Sequence, residues 1–387
     1  MKKSAIITVL TLVILSAGCG GGSSDKYSTR ARSVLSTLSL NQKVGQLFII
    51  HPVSVRTDLS VDVLYQMLAS GEKIPEEQAI TDQTRRAMSL YPAGGFLLNT
   101  ANIASPTQLK QFTADLKGVC ALPPFIAVDE EGGRVARLAN HPSFDLPNPG
   151  PMQDIGSTGD TELAHAAGSA IGKYIREYGF NLDFAPVADV NTNPDNIVIG
   201  TRAFGSDPEL VSRMVSAFLG GLHEQQVFGT IKHFPGHGDT TNDTHTGYVA
   251  VYKTWDELLS AEIIPFRDNL GKTDLVMTAH ITMRNVTSED VPATLSRVVL
   301  TDKLRNELGY DGVIITDSMS MGAILNDYPS GEAAVRAIEA GADIVLTPYD
   351  YAESFKAVLE AVQTGRISEA RINDSVLRIL KLKYREW

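Results

Sequence analysis

Short apolar segments alternate along the chain with longer stretches whose apolar residues recur at helical spacing. The eight apolar segments are Gln46–Ile50, Gly95–Leu98, Phe125–Val128, Leu182–Val187, Thr230–His233, Leu275–Ala279, Val313–Thr316 and Ile344–Leu346. Helical patterns lie between several of them, at Thr161–Tyr178, Pro208–Gln225, Trp255–Asn269, Ser296–Leu308, Gly331–Ala340 and Ala352–Thr364. This alternation predicts an α/β fold, a single (β/α)8 TIM-type barrel, with a doubly wound open sheet as the alternative.

Polar residues stand where several apolar segments end. They are Asp129, Asp189, Lys232 with His233, His280 and Asp317. A single aspartate after a strand is more often a helix cap than a catalyst. In a barrel, however, the C-terminal ends of the strands line the active site, and five such positions favour a shared site there.

The N-terminal segment predicts an export signal. Lys2 and Lys3 precede an apolar run, residues 5–15, that is too short to span a membrane and suits a signal peptide of residues 1–18. The following Cys19 resembles the lipid-accepting cysteine of bacterial lipoproteins, although Ser16 stands where a leucine is usual. Cleavage after Ala17 and plain secretion is the alternative. Residues 19–27 suit a flexible Gly/Ser tether, and residues 28–387 a catalytic barrel domain.

Charge and cysteine content exclude two classes of protein. The 387 residues include 34 basic and 45 acidic ones, a net charge of −11, which argues against a nucleic-acid partner. Two cysteines, Cys19 and Cys120, exclude a disulfide scaffold. No break in composition predicts a second domain. The excursion Ser54–Tyr91 is expected beside the active site, and Glu369–Tyr384 is expected to be a closing helix.

The segment from Lys232 to His245 concentrates reactive side chains in a loop. It holds three histidines and two aspartates, with prolines and glycines that exclude a regular helix. Three interpretations stay open: a metal site, a structural cluster, or an acid–base pair. Asp243-Thr244-His245 favours the last, because residues two apart in extended chain share a side and the aspartate could orient the imidazole.

Five ordered motifs resemble glycoside hydrolase family 3, in its β-N-acetylglucosaminidase branch. Besides the histidine loop, they are Leu38–Phe48, Val128–Val135, Ile199–Gly205 and Gly312–Met321. The resemblance extends from about Leu38 to Lys383. It implies that Asp317 is the catalytic nucleophile and that His245 is the general acid/base with Asp243 as its partner. From the residues alone, Asp317 is equally well a helix cap.

The resemblance also implies that the terminal sugar is held by Asp129, Arg137, Arg202, Lys232 and His233. For Lys232 and Arg202 the alternative is a structural ion pair. Arg134 and His237 are interpreted as structural, and Asp189 and His280 as residues that support the pocket. No metal and no organic cofactor is implied.

The sequence therefore predicts a retaining exo-β-N-acetylglucosaminidase (β-N-acetylhexosaminidase). It would release terminal N-acetylglucosamine from muropeptides or chitin-type oligosaccharides through a covalent glycosyl-aspartate. Its expected partners are the carbohydrate and a membrane, reached outside the cytoplasm through a lipid on Cys19; the oligomeric state stays open. The alternatives are a family 3 β-glucosidase or related exo-glycosidase, a metal-dependent barrel hydrolase, and a sugar-binding lipoprotein without catalysis.

Overall fold

A closed eight-stranded parallel barrel forms the centre of the protein. The computed structural model describes residues 22–240, 244, 247–385 and 387. The barrel strands are β1 (Phe48–Ile50), β2 (Gly95–Leu97), β3 (Phe125–Val128), β4 (Leu182–Asp183), β5 (Phe228–Phe234), β6 (Leu275–Thr278), β7 (Val313–Ser318) and β8 (Ile344–Leu346). Each strand pairs with its neighbours in the chain, and β1 also pairs with β8, with Phe48 opposite Val345. The predicted TIM-type barrel is confirmed.

Helices pack around the barrel between the strands. They are Gly22–Thr37, Leu40–Gln46, Val61–Ala69, Asp82–Leu90, Pro106–Val119, Met152–Ser157, Thr161–Glu177, Pro208–Glu224, Trp255–Leu259, Ile264–Asn269, Gly322–Leu325, Ser330–Ala340, Tyr351–Gln363 and Glu369–Lys383, with a π-helix at Val298–Glu307. Two short ribbons accompany them, Glu130–Gly132 with Val135–Ala136 and Ala250–Thr254 with Thr282–Asn285. Among the described residues, no helix is long and apolar enough to span a membrane.

Two predicted elements differ from the observed ones. The segment Leu182–Val187 pairs only at Leu182–Asp183, and Val187 then forms an isolated bridge with Lys232. The intervening Pro186 has no N–H to donate to a strand partner. The predicted helix Trp255–Asn269 divides into two, because Pro265 at the start of the second helix cannot continue the hydrogen bonding of the first.

The apolar residues form two layers. Inside the barrel, alternate strand residues such as Ile49, Phe125 and Met277 make one buried cluster. A larger cluster fills the space between strands and helices and includes Phe48, Phe218 and Phe355. The barrel is thus filled with side chains, and space for a ligand is left only at its ends.

The first and the last of the described helices meet at the N-terminal end of the barrel. The last helix, Glu369–Lys383, places Ile379 and Leu382 in the inner cluster. The first helix, Gly22–Thr37, packs on it, with Ala31 buried and the Arg30 guanidinium 4.4 Å from the Tyr384 ring centroid. Residues 22–27, which composition assigns to a flexible tether, are the first residues of this helix. The predicted signal peptide and Cys19 lie outside the described residues.

Candidate active site

A cavity of about 380 Å³ opens at the C-terminal ends of the barrel strands. The structure brings six of the predicted site residues to its wall: Asp129, Arg137, Arg202, Lys232, His233 and Asp317. Its floor is apolar and is made by side chains of the barrel interior, among them Phe184, Met277 and Leu346. The cavity is therefore a pocket that is closed below, with charged groups around its wall.

Asp317 lies near the end of β7 and faces this pocket. Its Oδ1 accepts a hydrogen bond of 2.7 Å from the Ser318 amide. Enclosure by the protein raises the pKa of Asp317, but the charges of His233 and His280 and the Ser318 amide outweigh this effect and leave the pKa lowered. The carboxylate is consequently ionised at neutral pH, as a nucleophile must be.

A four-residue ion-pair network forms one side of the pocket. The buried Lys232 Nζ lies 2.8 Å from Asp129 Oδ1 and 2.5 Å from Glu131 Oε1. Arg202 binds Glu131 with two nitrogens, at 2.8 and 2.7 Å. Arg137 is farther away, with 3.9 Å between Nη2 and Asp129 Oδ2. Because both cations hold carboxylates in place, the oxygens that remain free are fixed in direction.

Glu131 is a pocket residue that sequence reasoning missed. In the structure, Arg202 pairs with Glu131, and Lys232 is shared between Glu131 and Asp129. Burial raises the pKa of Glu131, but the charges of Arg202 and Lys232 dominate and leave the pKa well below its usual range. In the sequence, Glu131 stands two positions after Asp129. A buried carboxylate needs a basic partner, so the basic residues predicted in this pocket were the signal that could have pointed to it.

Asp189 orients His233. Its Oδ2 lies 2.6 Å from His233 Nδ1, and its carboxylate also accepts hydrogen bonds from the amides of His233 and His237. The other ring nitrogen, Nε2, lies 3.4 Å from Arg202 Nη2 at the pocket wall. Burial raises the pKa of Asp189, but His233 and these hydrogen bonds outweigh it and the pKa is lowered. Asp189 thus fixes which nitrogen of His233 faces the pocket.

The loop after β5 is held close to the barrel. A Cβ on Gly238 would stand 1.8 Å from the Val190 carbonyl oxygen, so only glycine fits there. His237 is buried, with Nδ1 2.8 Å from Thr240 Oγ1 and Nε2 3.3 Å from Thr244 Oγ1. Thr244 and His237 both line the pocket. Asp243 and His245, the predicted acid–base pair, lie outside the described residues.

The remaining predicted residues lie behind the pocket wall. Arg134 donates to the carbonyls of Ile197 and Val198, at 2.9 and 2.6 Å, and so holds the segment before Arg202. His280 Nε2 lies 2.9 Å from the Ser318 carbonyl oxygen, next to Asp317. Within the residues that the structure describes, no group of three His, Cys, Asp or Glu side chains could hold a metal ion.

The pocket thus combines an ionised aspartate with a network of ion pairs, and the chain that forms it can be compared with known proteins. Residues 39–382 match the family described as the glycosyl hydrolase family 3 N-terminal domain. The chain belongs to glycosyl hydrolase family 3. The resemblance predicted from the five motifs is thereby confirmed, and the barrel is that of a glycoside hydrolase.

Two relatives of this family 3 chain are named beta-hexosaminidases. It is 34% identical over 344 residues to beta-hexosaminidase A of Pseudoalteromonas piscicida, covering 81% of this chain and 57% of that protein. It is 32% identical over 336 residues to beta-hexosaminidase LpqI of Mycobacterium tuberculosis, covering 83% of this chain and 82% of that protein. The chain therefore spans just over half of the first relative and most of the second.

Solved structures of the family superpose closely on the barrel. A glycoside hydrolase family 3 beta-N-acetylglucosaminidase from Paenibacillus sp. str. FPU-7 gives a TM-score of 0.79 at 39% identity, over 90% of this chain and 62% of that one. M. tuberculosis LpqI gives 0.77 at 27% identity, over 92% of this chain and 97% of that one.

Proposed function

We propose that the protein is a retaining exo-β-N-acetylglucosaminidase that removes terminal N-acetylglucosamine from β-linked oligosaccharides. The observation that carries the proposal is one pocket, closed at its floor, that is lined by Asp317 together with Asp129, Lys232, Arg202 and His233. The floor of the pocket is closed, which suits binding of the end of a chain. Names of relatives, β-hexosaminidase and β-N-acetylglucosaminidase, support the choice of sugar.

The Asp317 carboxylate is the proposed nucleophile. Its oxygen attacks the anomeric carbon, the bond to the leaving oxygen breaks, and a glycosyl-aspartate ester forms. Water then attacks the same carbon and releases Asp317, so the configuration is retained. The lowered pKa of Asp317 supports this role, because the ionised form is the reactive one.

His245, oriented by Asp243, is the proposed acid/base. It would protonate the leaving oxygen in the first step and accept a proton from water in the second. Thr244, which lies between them in sequence, lines the pocket, and its carbonyl accepts a 3.1 Å hydrogen bond from the Ala323 amide. This placement supports a role for the neighbouring residues at the pocket. The unperturbed histidine pKa, about 6.5, suits both transfers near neutral pH.

Sugar hydroxyls would be held by the charged wall. Asp129 keeps a carboxylate that can accept hydroxyl protons, while Lys232, Arg202 and His233 supply donors. Because the ion pairs exist before the sugar arrives, binding requires little rearrangement of these side chains.

A product-resolved assay tests the proposal. Purified protein is given 4-nitrophenyl β-N-acetylglucosaminide, the matching β-glucoside, and β-linked N-acetylglucosamine oligomers. We expect N-acetylglucosamine as the product, with retained configuration by NMR, and little release from the glucoside. Preferred hydrolysis of the glucoside would reassign the protein to the β-glucosidase group. Complete, metal-reversible loss of activity with a chelator would favour the metal-dependent alternative, and sugar binding without turnover would favour a binding lipoprotein.

The acid role of His245 has a test of its own. Substitution of His245 by Ala is expected to reduce hydrolysis of oligosaccharides far more than that of 4-nitrophenyl glycosides, because only poor leaving groups need protonation. Equal losses on both substrates would exclude this role.

We also propose that the protein acts outside the cytoplasm, anchored by a lipid on Cys19. The sequence around Cys19 carries this proposal, and secretion without a lipid is the competing outcome. In the native host, Cys19→Ala is expected to move the protein from the membrane to the soluble fraction. Unchanged membrane retention would contradict the anchor.

A further inference from the structure

A second cavity, of about 800 Å³, opens at the same end of the barrel. It lies beyond the ends of β1, β2 and β8, where His51, Asn99 and Tyr349 stand. Its outer wall comes from the excursion Ser54–Tyr91, which contributes Leu64, Tyr65 and Leu68 among others. The excursion, which was expected beside the active site, thus forms one wall of this cavity.

This outer cavity adjoins the pocket of Asp317. Ser320 lines both, and its Oγ lies 2.8 Å from that of Ser318, the residue next to Asp317. On the other side, burial lowers the pKa of His51, an effect partly offset by a hydrogen bond to Leu97 and by the charge of Asp129. His51 therefore stands within electrostatic range of the inner pocket. The two cavities are thus neighbours that share Ser320 as a common wall residue.

Two tyrosines give the outer cavity an aromatic wall. The rings of Tyr65 and Tyr349 stack with centroids 4.6 Å apart and planes 6° from parallel. Burial raises the pKa of Tyr65 to about 12, so its hydroxyl remains neutral. Tyrosines of this kind combine an apolar ring with a polar hydroxyl, as the apolar faces and hydroxyl rims of sugars require.

The charge of the outer cavity disfavours anions. Its lining includes four carboxylates, on Glu77, Asp350, Glu353 and Glu360. Its two cations are Arg56 and Lys356. Arg56 is already engaged by Asp58 at 2.9 Å and by Glu76 at 3.6 Å. The lining therefore has a net charge of −2, with only Lys356 not paired to a carboxylate, and an anionic leaving group would meet repulsion.

We propose that the outer cavity is a leaving-group subsite for neutral β-linked N-acetylglucosamine units, with Tyr65 and Tyr349 as the surface on which they rest. Its volume is about twice that of the inner pocket, 800 against 380 Å³, so it suits two further units and a trisaccharide substrate. This proposal rests on the proposed function. It selects chitin-type chains over muropeptides, whose lactyl and peptide groups carry carboxylates.

Binding measurements test the subsite without turnover. Asp317→Asn protein is titrated calorimetrically with N-acetylglucosamine and with its β-1,4-linked trimer. We expect the trimer to bind at least about tenfold more tightly, which corresponds to about 1.4 kcal/mol. Adding Tyr65→Ala should remove most of that difference, whereas Tyr65→Phe should keep it. Equal affinities for monomer and trimer would overturn the subsite, whatever the reaction proves to be.

Kinetics with matched variants then locate the effect. With the Tyr65→Ala protein, kcat/KM for the trimer should fall at least about tenfold more than kcat/KM for the 4-nitrophenyl glycoside. Tyr252→Ala is the control, because Tyr252 is 69% exposed and does not line the cavity. Equal losses on both substrates would refute the subsite. Failure of wild-type protein to hydrolyse the 4-nitrophenyl glycoside would instead refute the proposed function.

The charge argument has a separate arm. Wild-type protein is expected to prefer the neutral trimer over the muropeptide disaccharide, which carries a carboxylate, by at least about fivefold in kcat/KM. Glu77→Lys should narrow this preference, most at low ionic strength. A wild-type preference for the muropeptide disaccharide would overturn the assignment to neutral chains.

Discussion

Both ends of the barrel contain buried ion pairs, but those at the C-terminal end line the pocket of Asp317, whereas those around Asp343 are covered by a helix. At the C-terminal end, Lys232 and Arg202 hold Asp129 and Glu131 around a cavity. At the N-terminal end, Asp343 precedes β8 and is surrounded by Arg305, Arg371 at 3.5 Å and Arg378 at 3.4 Å. The comparison shows that buried charge alone does not identify an active site.

The two ends of the barrel differ in what covers their ion pairs. Arg371 and Arg378 belong to the helix Glu369–Lys383, which closes the N-terminal end with its own side chains. Burial raises the pKa of Asp343, but the three arginines outweigh it and leave the pKa lowered, so the carboxylate is fully used within the protein. At the opposite end the described residues leave a cavity, and the Asp317 carboxylate lines it.

The largest expected effect is the loss of activity on removing the nucleophile. Asp317→Asn should lower kcat by on the order of 10⁴-fold or more, while thermal unfolding changes little, because this carboxylate faces the pocket and makes no ion pair with any residue that the structure describes. Steady-state kinetics measure the loss in kcat, and calorimetry measures the unfolding temperature. Substantial turnover in this variant would require another nucleophile.

The reverse outcome is expected at the N-terminal end. Asp343→Ala leaves three arginines without their carboxylate and should cost about 3–5 kcal/mol of unfolding free energy. The kcat/KM of the protein that remains folded should stay within about twofold of wild type. Denaturant unfolding gives the first value. A large loss of activity without a loss of stability would contradict the division between the two ends.

Lys232→Met should lower both the catalytic activity and the stability of the protein. Loss of the ammonium removes hydrogen bonds to Asp129 and Glu131, which should cost roughly tenfold to a hundredfold in kcat/KM. It also leaves Glu131 with Arg202 alone, and unfolding free energy should fall by about 1–3 kcal/mol. Normal kinetics in this variant would assign Lys232 to stability only.

The remaining expected effect is a pH dependence of stability at the closing helix. Lys383 Nζ donates to Gln46 Oε1 and the Gly94 carbonyl, both at 2.7 Å and both neutral. Burial lowers the pKa of Lys383 to about 7, from 10.5 when unfolded. Between these values the unfolded chain holds a proton that the folded chain does not, so stability should rise as pH rises from 7 to 10.5.

Unfolding experiments across this range check the sign. Lys383→Met should flatten the rise, and Lys381→Met, in the same helix, should preserve it. An identical pH dependence in wild type and in Lys383→Met would show that Lys383 stays protonated in the folded protein across this range.

The sequence allowed the barrel and most of the pocket to be predicted, because strand patterns place the ends of successive strands together. Six predicted residues between Asp129 and Asp317 line one cavity, and only Lys232 and His233 among them are adjacent in the chain. The pattern could not separate Glu130 from Glu131, which are identical in chemistry. Adjacent residues of extended chain face opposite sides. Glu131 therefore reaches the pocket. Glu130 points the other way, and its carboxylate accepts hydrogen bonds from the amides of Arg137, Leu138 and Ala139.

The outer cavity could not be predicted for a different reason. The excursion Ser54–Tyr91 contains two helices, Val61–Ala69 and Asp82–Leu90, in place of the usual single crossover. Which of their side chains face the barrel depends on how they dock. The pairing of Tyr65 with Tyr349 joins residues 284 positions apart, and no local pattern links them.

The helix Gly22–Thr37 packs against Glu369–Lys383, the helix that closes the N-terminal end of the barrel. The chain reaches the barrel at the end that the last helix closes, and the sugar pocket opens at the other. If Cys19 carries the proposed lipid, the link to the bilayer would join the described part of the chain at this helix, which contributes no residue to the described pocket wall. The strand ends around the pocket would then be left open to dissolved glycan ends.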